Sequence, residues 1–110
     1  LTVERYRLAG LANETRGVWA GGWSNSNVRE NVMDYITIAT TGNATDFGDL
    51  AVARMWITGI PSLTRGIFGG GNDALSNDTI DYITIATTGN STDFGDLTVG
   101  RTGTGGVDGS

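Results

Sequence analysis

One stretch of seventeen residues occurs twice in this chain and constrains its fold more than any other feature. "DYITIATTGNATDFGDL" spans residues 34–50 and "DYITIATTGNSTDFGDL" spans residues 81–97, and the two differ only at Ala44 against Ser91. Copies at such spacing are typical of tandem structural repeats, in which each unit buries one face against the next. The sequence therefore predicts a series of similar packed units.

Shorter matches fix the register of the repeat. "LTVER" at residues 1–5 matches "LAVAR" at 50–54 and "LTVGR" at 97–101. We therefore divide a single repeat domain, residues 1–110, into repeat 1 (1–49), repeat 2 (50–96) and a partial repeat 3 (97–110). Units of 49 and 47 residues are too long for one coil of most β-solenoids and fall in the range of β-propeller blades.

Strand and turn signals agree with an all-β chain. Glycine accounts for 18 of 110 residues and there is one proline, at Pro61. "DYITIAT" at 34–40 is a β-branched and aromatic run that predicts a strand. "TTGN" and "TDFGD" contain turn residues, whereas "LAVAR", "TRGIFGGG" and the weaker "RMWITG" predict further short strands. The expected unit is an antiparallel sheet of about four strands.

Two such sheets do not complete a propeller, which usually has four to eight blades. We therefore expect the ring to be completed by other copies of the chain or by a longer parent chain, of which a sequence that starts at Leu1 would be a piece. Because residues 97–110 match residues 1–14, a ring of copies would carry one segment too many. That segment would be displaced, exchanged between chains, or used to start an open head-to-tail filament.

The order of these motifs resembles the kelch repeat of β-propellers. In kelch blades a glycine doublet ends an inner strand, and a Tyr and then a Trp mark the next two strands. The matching positions here are Gly21, Gly22, Gly70 and Gly71 for the doublets, Tyr35 and Tyr82 for the Tyr, Phe47 and Phe94 for the Trp, and Arg5, Arg54 and Arg101 for the Arg that opens the following unit. The gap from Tyr35 to Phe47 is wider than in most kelch units, so the chain is kelch-like rather than a standard kelch protein.

The chain also resembles tandem-repeat tail or structural proteins of marine bacteriophages, which carry copies of a "TRGVFGGG…DYITIATTGNATDFGDL" pattern. This resemblance implies a virion or extracellular location and a structural or adhesive function, as in a tail fibre. It names no ligand.

Composition excludes several kinds of chemistry. The chain has no His and no Cys, so the commonest general base, the commonest transition-metal ligand and thiolate chemistry are all missing. The copper chemistry of galactose oxidase, whose central domain is also kelch-like, is excluded for the same reason. A net charge of -5 argues against nucleic-acid or anionic-membrane binding. We expect no enzyme activity and no cofactor.

The recurring charged residues have a structural and a functional interpretation. Carboxylates in "DFGD" could bind calcium, but turn capping or pairing with a recurring arginine is the favoured role. The arginines could instead hold an anionic ligand in a central channel; we favour a repeated salt-bridge ladder between blades. The residues concerned are Asp46, Asp49, Asp93 and Asp96, and Arg5, Arg54, Arg16 and Arg65.

The glycine strings lack the Lys and the helix of a phosphate-binding loop, and close strand packing explains them better. Trp19 and Phe68 occupy equivalent positions and are expected in the core, while Trp23 has no aromatic counterpart. Trp23 lies beside a loop that varies between repeats, and function on a rigid scaffold usually resides in such loops. The candidate ligand-binding residues are Trp23, Asn25, Asn27, Asn72 and Asp73.

Three functions follow as hypotheses. The first is a non-enzymatic structural or adhesive module that presents variable loops and assembles with copies of itself or with further repeats. The second is a carbohydrate-binding propeller that uses Trp23 and the Asn and Asp side chains of the loops. The third is a subunit of an open-ended extracellular filament. Four N-x-[ST] sites occur, at Asn13, Asn43, Asn77 and Asn90. Asn43 and Asn90 belong to the copied turn and are expected to have a local turn role, and none of the four is expected to carry a glycan.

Overall fold

The computed structural model describes residues 1–107, and in that range the chain consists of β-strands and loops without a helix. The last three residues of the expected third unit, 108–110, lie outside the described range. The ten strands are β1 Arg5–Tyr6, β2 Ala9–Ala12, β3 Arg16–Ala20, β4 Trp23–Ser24, β5 Val32–Thr37, β6 Thr45–Asp49, β7 Thr58–Pro61, β8 Arg65–Gly69, β9 Thr79–Thr84 and β10 Thr92–Asp96.

Each repeat forms one four-stranded antiparallel sheet. Strands β2, β3, β5 and β6 make the sheet of repeat 1, and β7, β8, β9 and β10 make that of repeat 2, in chain order across each sheet. In repeat 1 the short strands β1 and β4 pair as a separate ribbon. In repeat 2 the same place holds an isolated bridge between Met55 and Asn72. The prediction of an all-β chain with four strands per unit is confirmed, although the described chain shows no closed ring.

Two predicted elements were wrong. "TDFGD" is not a turn, because Thr45–Asp49 and Thr92–Asp96 are the outer strands β6 and β10. The register of both strands shifts by a β-bulge, and Gly48 and Gly95 supply positive φ values of 145° and 152° there. The glycine therefore serves a bulge inside the strand rather than a turn.

"LAVAR" at 50–54 is not a strand either. The amide of Leu50 donates to the carbonyl of Asn31, and the amide of Arg54 donates to that of Glu30, so the segment is bonded to a loop of repeat 1 and not to a sheet edge. It forms the link between the two repeats. The weak strand predicted over 54–59 begins later, at β7.

The two sheets share one apolar core. It contains Leu11, Val18 and Met33 of repeat 1 together with Phe68 and Ile83 of repeat 2. Strands β2 and β7 run next to each other, and a Cβ atom at Gly66 would overlap the side chain of Leu11, so absence of a side chain there sets the approach of the sheets.

Candidate functional site

A fully buried arginine, Arg54, forms an ion pair inside repeat 2. The Nη2 atom of Arg54 lies 2.6 Å from Oδ1 of Asp81, and neither side chain is accessible to solvent. Its Nε donates to the carbonyl of Gly70 at 2.8 Å and Nη2 also donates to that of Phe68 at 3.3 Å. Because nearly every donor has an acceptor, the charge is buried with its hydrogen bonds made.

Arg5 makes the equivalent contacts in repeat 1. Its Nη1 lies 3.3 Å from Oδ2 of Asp34, and its Nε donates to the carbonyl of Gly21 at 2.7 Å. The expected pairing of these arginines with the "DFGD" carboxylates is therefore corrected: the partners are the first residues of the copied stretches. Each pair also lies within one repeat rather than between repeats. Asp46 and Asp93 are exposed on the outer strands.

The other recurring arginines stack on aromatic rings. The guanidinium carbon of Arg16 lies 4.3 Å from the ring centroid of Tyr35, and that of Arg65 lies 4.6 Å from that of Tyr82. Each tyrosine ring also makes a T-shaped contact with Phe47 or Phe94, with ring centroids 5.8 and 6.0 Å apart. The repeated Arg–Tyr–Phe order thus builds the same cation–π and edge-to-face stack in both sheets.

The glycine doublets receive the backbone of the following unit. The amide of Gly22 donates to the carbonyl of Arg54 at 2.9 Å, and the amide of Gly71 donates to the carbonyl of Arg101 at 2.9 Å. Gly21 and Gly70 have φ values of 68° and 69°, and a Cβ on either would overlap the same two carbonyls. The doublets therefore serve contact between units, as the close-packing interpretation expected.

The two variable loops, residues 25–31 and 72–78, meet at one edge of the molecule. Nε and Nη2 of Arg29 donate to Oδ1 of Asn72 at 3.2 and 3.0 Å. Arg29 also lies 5.1 Å from the ring centroid of Trp23, which is half-buried. The structure thus brings together Trp23 and Asn72 through a residue, Arg29, that the sequence analysis did not single out.

The remaining candidate residues of the loops are placed as follows. Asn25 is exposed and donates to Oε2 of Glu4 at 3.2 Å. Asn27 is exposed, with a positive φ of 59° that suits Asn in a turn. Asp73 is exposed and accepts a hydrogen bond from Nδ2 of the buried Asn77 at 2.9 Å. Two of these three exposed side chains, Asn25 and Asp73, therefore hydrogen-bond to other residues of the protein.

An aromatic pair that is not among the candidate ligand-binding residues also lies beside the loops. The guanidinium carbon of Arg7 lies 5.1 Å from the ring centroid of Tyr6 and 4.3 Å from that of Trp56, and both rings are exposed. Tyr6 pairs with Trp23 between β1 and β4, so these aromatic residues form one surface with the loops. The repeat register marks these two residues in the sequence, because Arg7 and Trp56 are 49 residues apart and occupy equivalent positions in the two repeats.

This surface, which we call the loop face (Tyr6, Arg7, Trp23, Arg29, Trp56 and Asn72), offers rings, amides and guanidinium groups. Such groups bind neutral polar ligands by stacking and hydrogen bonding. No cluster of three acidic residues that could hold a metal ion occurs among residues 1–107. In the same range no helix is long and apolar enough to cross a membrane.

Three of the N-x-[ST] asparagines accept hydrogen bonds from backbone amides. Oδ1 of Asn13 accepts from the amides of Thr15 and Arg16, Oδ1 of Asn77 accepts from that of Thr79, and Oδ1 of Asn90 accepts from that of Asp49. The first two are turn contacts, at positions where no turn role was predicted. The third crosses from repeat 2 to repeat 1.

Comparison with known proteins places the chain in no family: no protein-family model matches it, and no curated protein matches it.

Proposed function

We propose that the chain is a non-enzymatic structural and adhesive module, part of a virion appendage, whose propeller-like repeats hold variable loops on one rigid surface. The observation that carries this proposal is the pair of hydrogen bonds from Arg29 to Asn72. These bonds join the variable loops of both repeats into one surface, while the sheets beneath are near copies. A conserved scaffold with variable loops is the usual arrangement for presenting binding residues.

The scaffold hypothesis is tested by replacing loop residues. Residues 25–28 are exposed or in a tight turn and are not part of the core cluster. Substituting these four residues by Gly-Ser should change the melting temperature by only a few degrees, because surface changes usually alter stability by less than about 0.5 kcal/mol. Circular dichroism gives the measurement. Loss of the folded signal would mean that the loop is part of the fold rather than carried by it.

Carbohydrate binding is the second candidate function, and the exposed rings of Tyr6 and Trp56 next to Trp23 favour it. Sugar rings stack on aromatic faces that have polar neighbours. A glycan array with the wild type should show binding that Trp23→Ala reduces by tenfold or more, which is about 1.4 kcal/mol. Leu63→Ala, an exposed residue at the opposite end of the strands, is the matched control. Binding that Trp23→Ala leaves unchanged would remove this candidate.

A further inference from the structure

Repeat 1 and repeat 2 bury part of their surfaces where they contact each other, and we call this contact the joint. The copies of those buried surfaces on the outer sides of the two repeats are exposed. Phe47 of repeat 1 is 2% exposed, whereas its copy in repeat 2, Phe94, is 52% exposed. The reverse holds on the other side, since Ile85 of repeat 2 is 0% exposed and its copy in repeat 1, Ile38, is 52% exposed. The chain therefore has one buried joint and two halves of a second joint.

The buried joint has a defined set of bonds. The amide of Gly89 donates to the carbonyl of Phe47 at 2.7 Å, and the amide of Ser91 donates to that of Asp49 at 2.9 Å. A Cβ at Gly48 would overlap the carbonyl of Gly89. At the copy of this position, Gly95, a Cβ would meet no atom within 4 Å. The outer strand β10 is thus an uncovered version of the covered strand β6.

The segment Leu97–Arg101 makes backbone hydrogen bonds like those of the link Leu50–Arg54. Leu97 donates its amide to the carbonyl of Asp78 at 2.7 Å, as Leu50 does to that of Asn31. Arg101 accepts the amide of Gly71, as Arg54 accepts that of Gly22. Its side chain is nevertheless exposed, whereas that of Arg54 is buried in an ion pair. The link is therefore bonded to the repeat before it and has no repeat after it among residues 1–107.

The hydroxyl group that donates to the buried aspartate comes from a different residue in each repeat, and this difference determines which repeat can follow the link. In repeat 1 the hydroxyl of Thr2 donates to Oδ1 of Asp34 at 2.8 Å, and position 44 is Ala. In repeat 2 the equivalent of Thr2 is Ala51, and Ser91 supplies the hydroxyl to Asp81 at 2.6 Å instead. Each buried carboxylate thus receives one hydroxyl, from the link or from the copied turn.

The link Leu97–Arg101 carries Thr98 at this position, so it complements a repeat with Ala at position 44. Repeat 1 is such a repeat. Its own segment Leu1–Arg5 makes the same side-chain contacts, but within residues 1–107 no other repeat bonds its backbone as repeat 1 bonds that of Leu50–Arg54. A link that is bonded on both sides is favoured over one that is bonded on a single side.

We propose that a second copy of the chain docks head to tail, with its Ile38 end on the Phe94 end of the first, and that residues 97–107 of the first copy replace residues 1–11 of the second, with Leu97–Arg101 in the place of Leu1–Arg5. Arg101 then pairs with Asp34, and Thr98 donates to the same carboxylate. This inference rests on the proposed structural function and adds the partner and the pairing rule. The contact is heterologous, so it produces a closed ring or an open filament.

Two variants, each blocked at one end, test the docking. Phe94→Asp blocks the tail end and Ile38→Asp blocks the head end, and both residues are half-exposed, so the single chain still folds. Light scattering on a sizing column should show the wild type growing with concentration and each variant alone as a monomer. An equimolar mixture should give a dimer and nothing larger. Leu75→Asp, which changes another exposed residue in a loop, should assemble as the wild type does.

Several results would overturn the proposal. A wild type that stays monomeric overturns the docking, and a folded circular-dichroism spectrum then leaves the structural function intact, whereas an unfolded spectrum removes both. A dimer of either variant alone would indicate contact between like ends, which contradicts head-to-tail docking. A mixture that gives no dimer contradicts it as well.

The pairing rule has its own test in the same mixture. Adding Thr98→Ala to the Ile38→Asp chain should weaken the dimer by about tenfold, because a hydrogen bond to a buried carboxylate is lost. Adding Ala44→Ser to the Phe94→Asp chain should restore the affinity, since it recreates the Ala51 and Ser91 arrangement of repeat 2. If Thr98→Ala has no effect, or Ala44→Ser gives no rescue, Leu97–Arg101 does not occupy the Asp34 site.

Discussion

Repeat 1 and repeat 2 share almost the same copied stretch, yet the same residue has different surroundings in each. Phe47 is buried and Phe94 is exposed, although the five residues "TDFGD" around them are identical. Both phenylalanines make the same edge contact with a tyrosine inside their own sheet. The difference is therefore produced by the neighbouring unit and not by the local sequence.

A second comparison concerns the two buried ion pairs. Arg54 lies at the joint, with its backbone bonded to repeat 1 and its side chain inside repeat 2. Arg5 has an equivalent side chain, but its backbone pairs with Ser24 of its own repeat. Residues that belong to both units stabilise the pair of repeats, whereas their copies at the ends stabilise one unit only.

The largest expected effect is the loss of folding stability when one of these arginines is replaced. Arg54→Ala leaves Asp81 as a buried charge without its partner, which costs about 3–5 kcal/mol. Because a small domain has about 5–15 kcal/mol in total, this variant should be largely unfolded or close to it. Arg5→Ala breaks the longer of the two ion pairs, 3.3 Å against 2.6 Å, and should therefore cost less. Urea denaturation followed by circular dichroism gives both values, and equal losses would show that the shorter distance of the Arg54 pair does not make it the stronger one.

A smaller effect is expected for the difference in stability between the Phe47→Ala and Phe94→Ala variants. Phe47→Ala removes a buried ring at the joint and should destabilise the chain by about 3 kcal/mol. Phe94→Ala removes a half-exposed ring that contacts mainly Tyr82, so its cost should be about 1 kcal/mol or less. Thermal unfolding in dilute solution, where copies do not associate, compares the two. A Phe94→Ala variant as unstable as Phe47→Ala would mean that the contact with the tyrosine dominates.

Glycine substitutions sharpen the same comparison, since Gly48 and Gly95 have nearly the same backbone conformation. Alanine is strained at either position, and this cost cancels between them. Only Gly48→Ala also meets the carbonyl of Gly89 across the joint, which should add about 1–3 kcal/mol. Urea midpoints of the two variants give the difference directly. A difference near zero would indicate that the joint opens enough to admit a methyl group.

The sequence predicted the parts of this fold that depend on one repeat alone. The strand in the copied stretch and the one before the glycine doublet follow from runs of β-branched and aromatic residues. The errors lie where a neighbour decides the structure. "LAVAR" has the composition of a strand, but its backbone bonds to a loop of the preceding unit. "TDFGD" has the composition of a turn, but the bulge at its glycine lets it extend the sheet.

The loop face could also be predicted only in part, because some of its contacts depend on the neighbouring repeat. Trp23 and Asn72 were found because they lie where the two repeats differ. The contribution of Arg29 was not, since a hydrogen bond from one loop to another depends on how far apart two sheets lie. The ion-pair partners were also misassigned, because several Asp residues follow each Arg and spacing alone does not choose among them.

The smallest predicted effect concerns the single difference within the copied stretch. Thr2→Ala removes the hydroxyl that donates to Asp34 and should cost about 1 kcal/mol or somewhat more, as for a hydrogen bond to a charged group. Ser91→Ala should cost a similar amount through Asp81. Adding Ala44→Ser to Thr2→Ala should recover most of the loss, because repeat 1 then has the hydroxyl where repeat 2 has it.

The four chains, wild type, Thr2→Ala, Ala44→Ser and the double variant, form a cycle whose coupling energy urea denaturation measures. Two independent substitutions would give a coupling near zero. A coupling of about 1 kcal/mol is expected here, because Thr2 and position 44 supply the same bond and only one hydroxyl is needed. The difference between Ala44 and Ser91 is then not random drift between two copies: it follows from Thr2 and Ala51, the residues of the links that precede each copy.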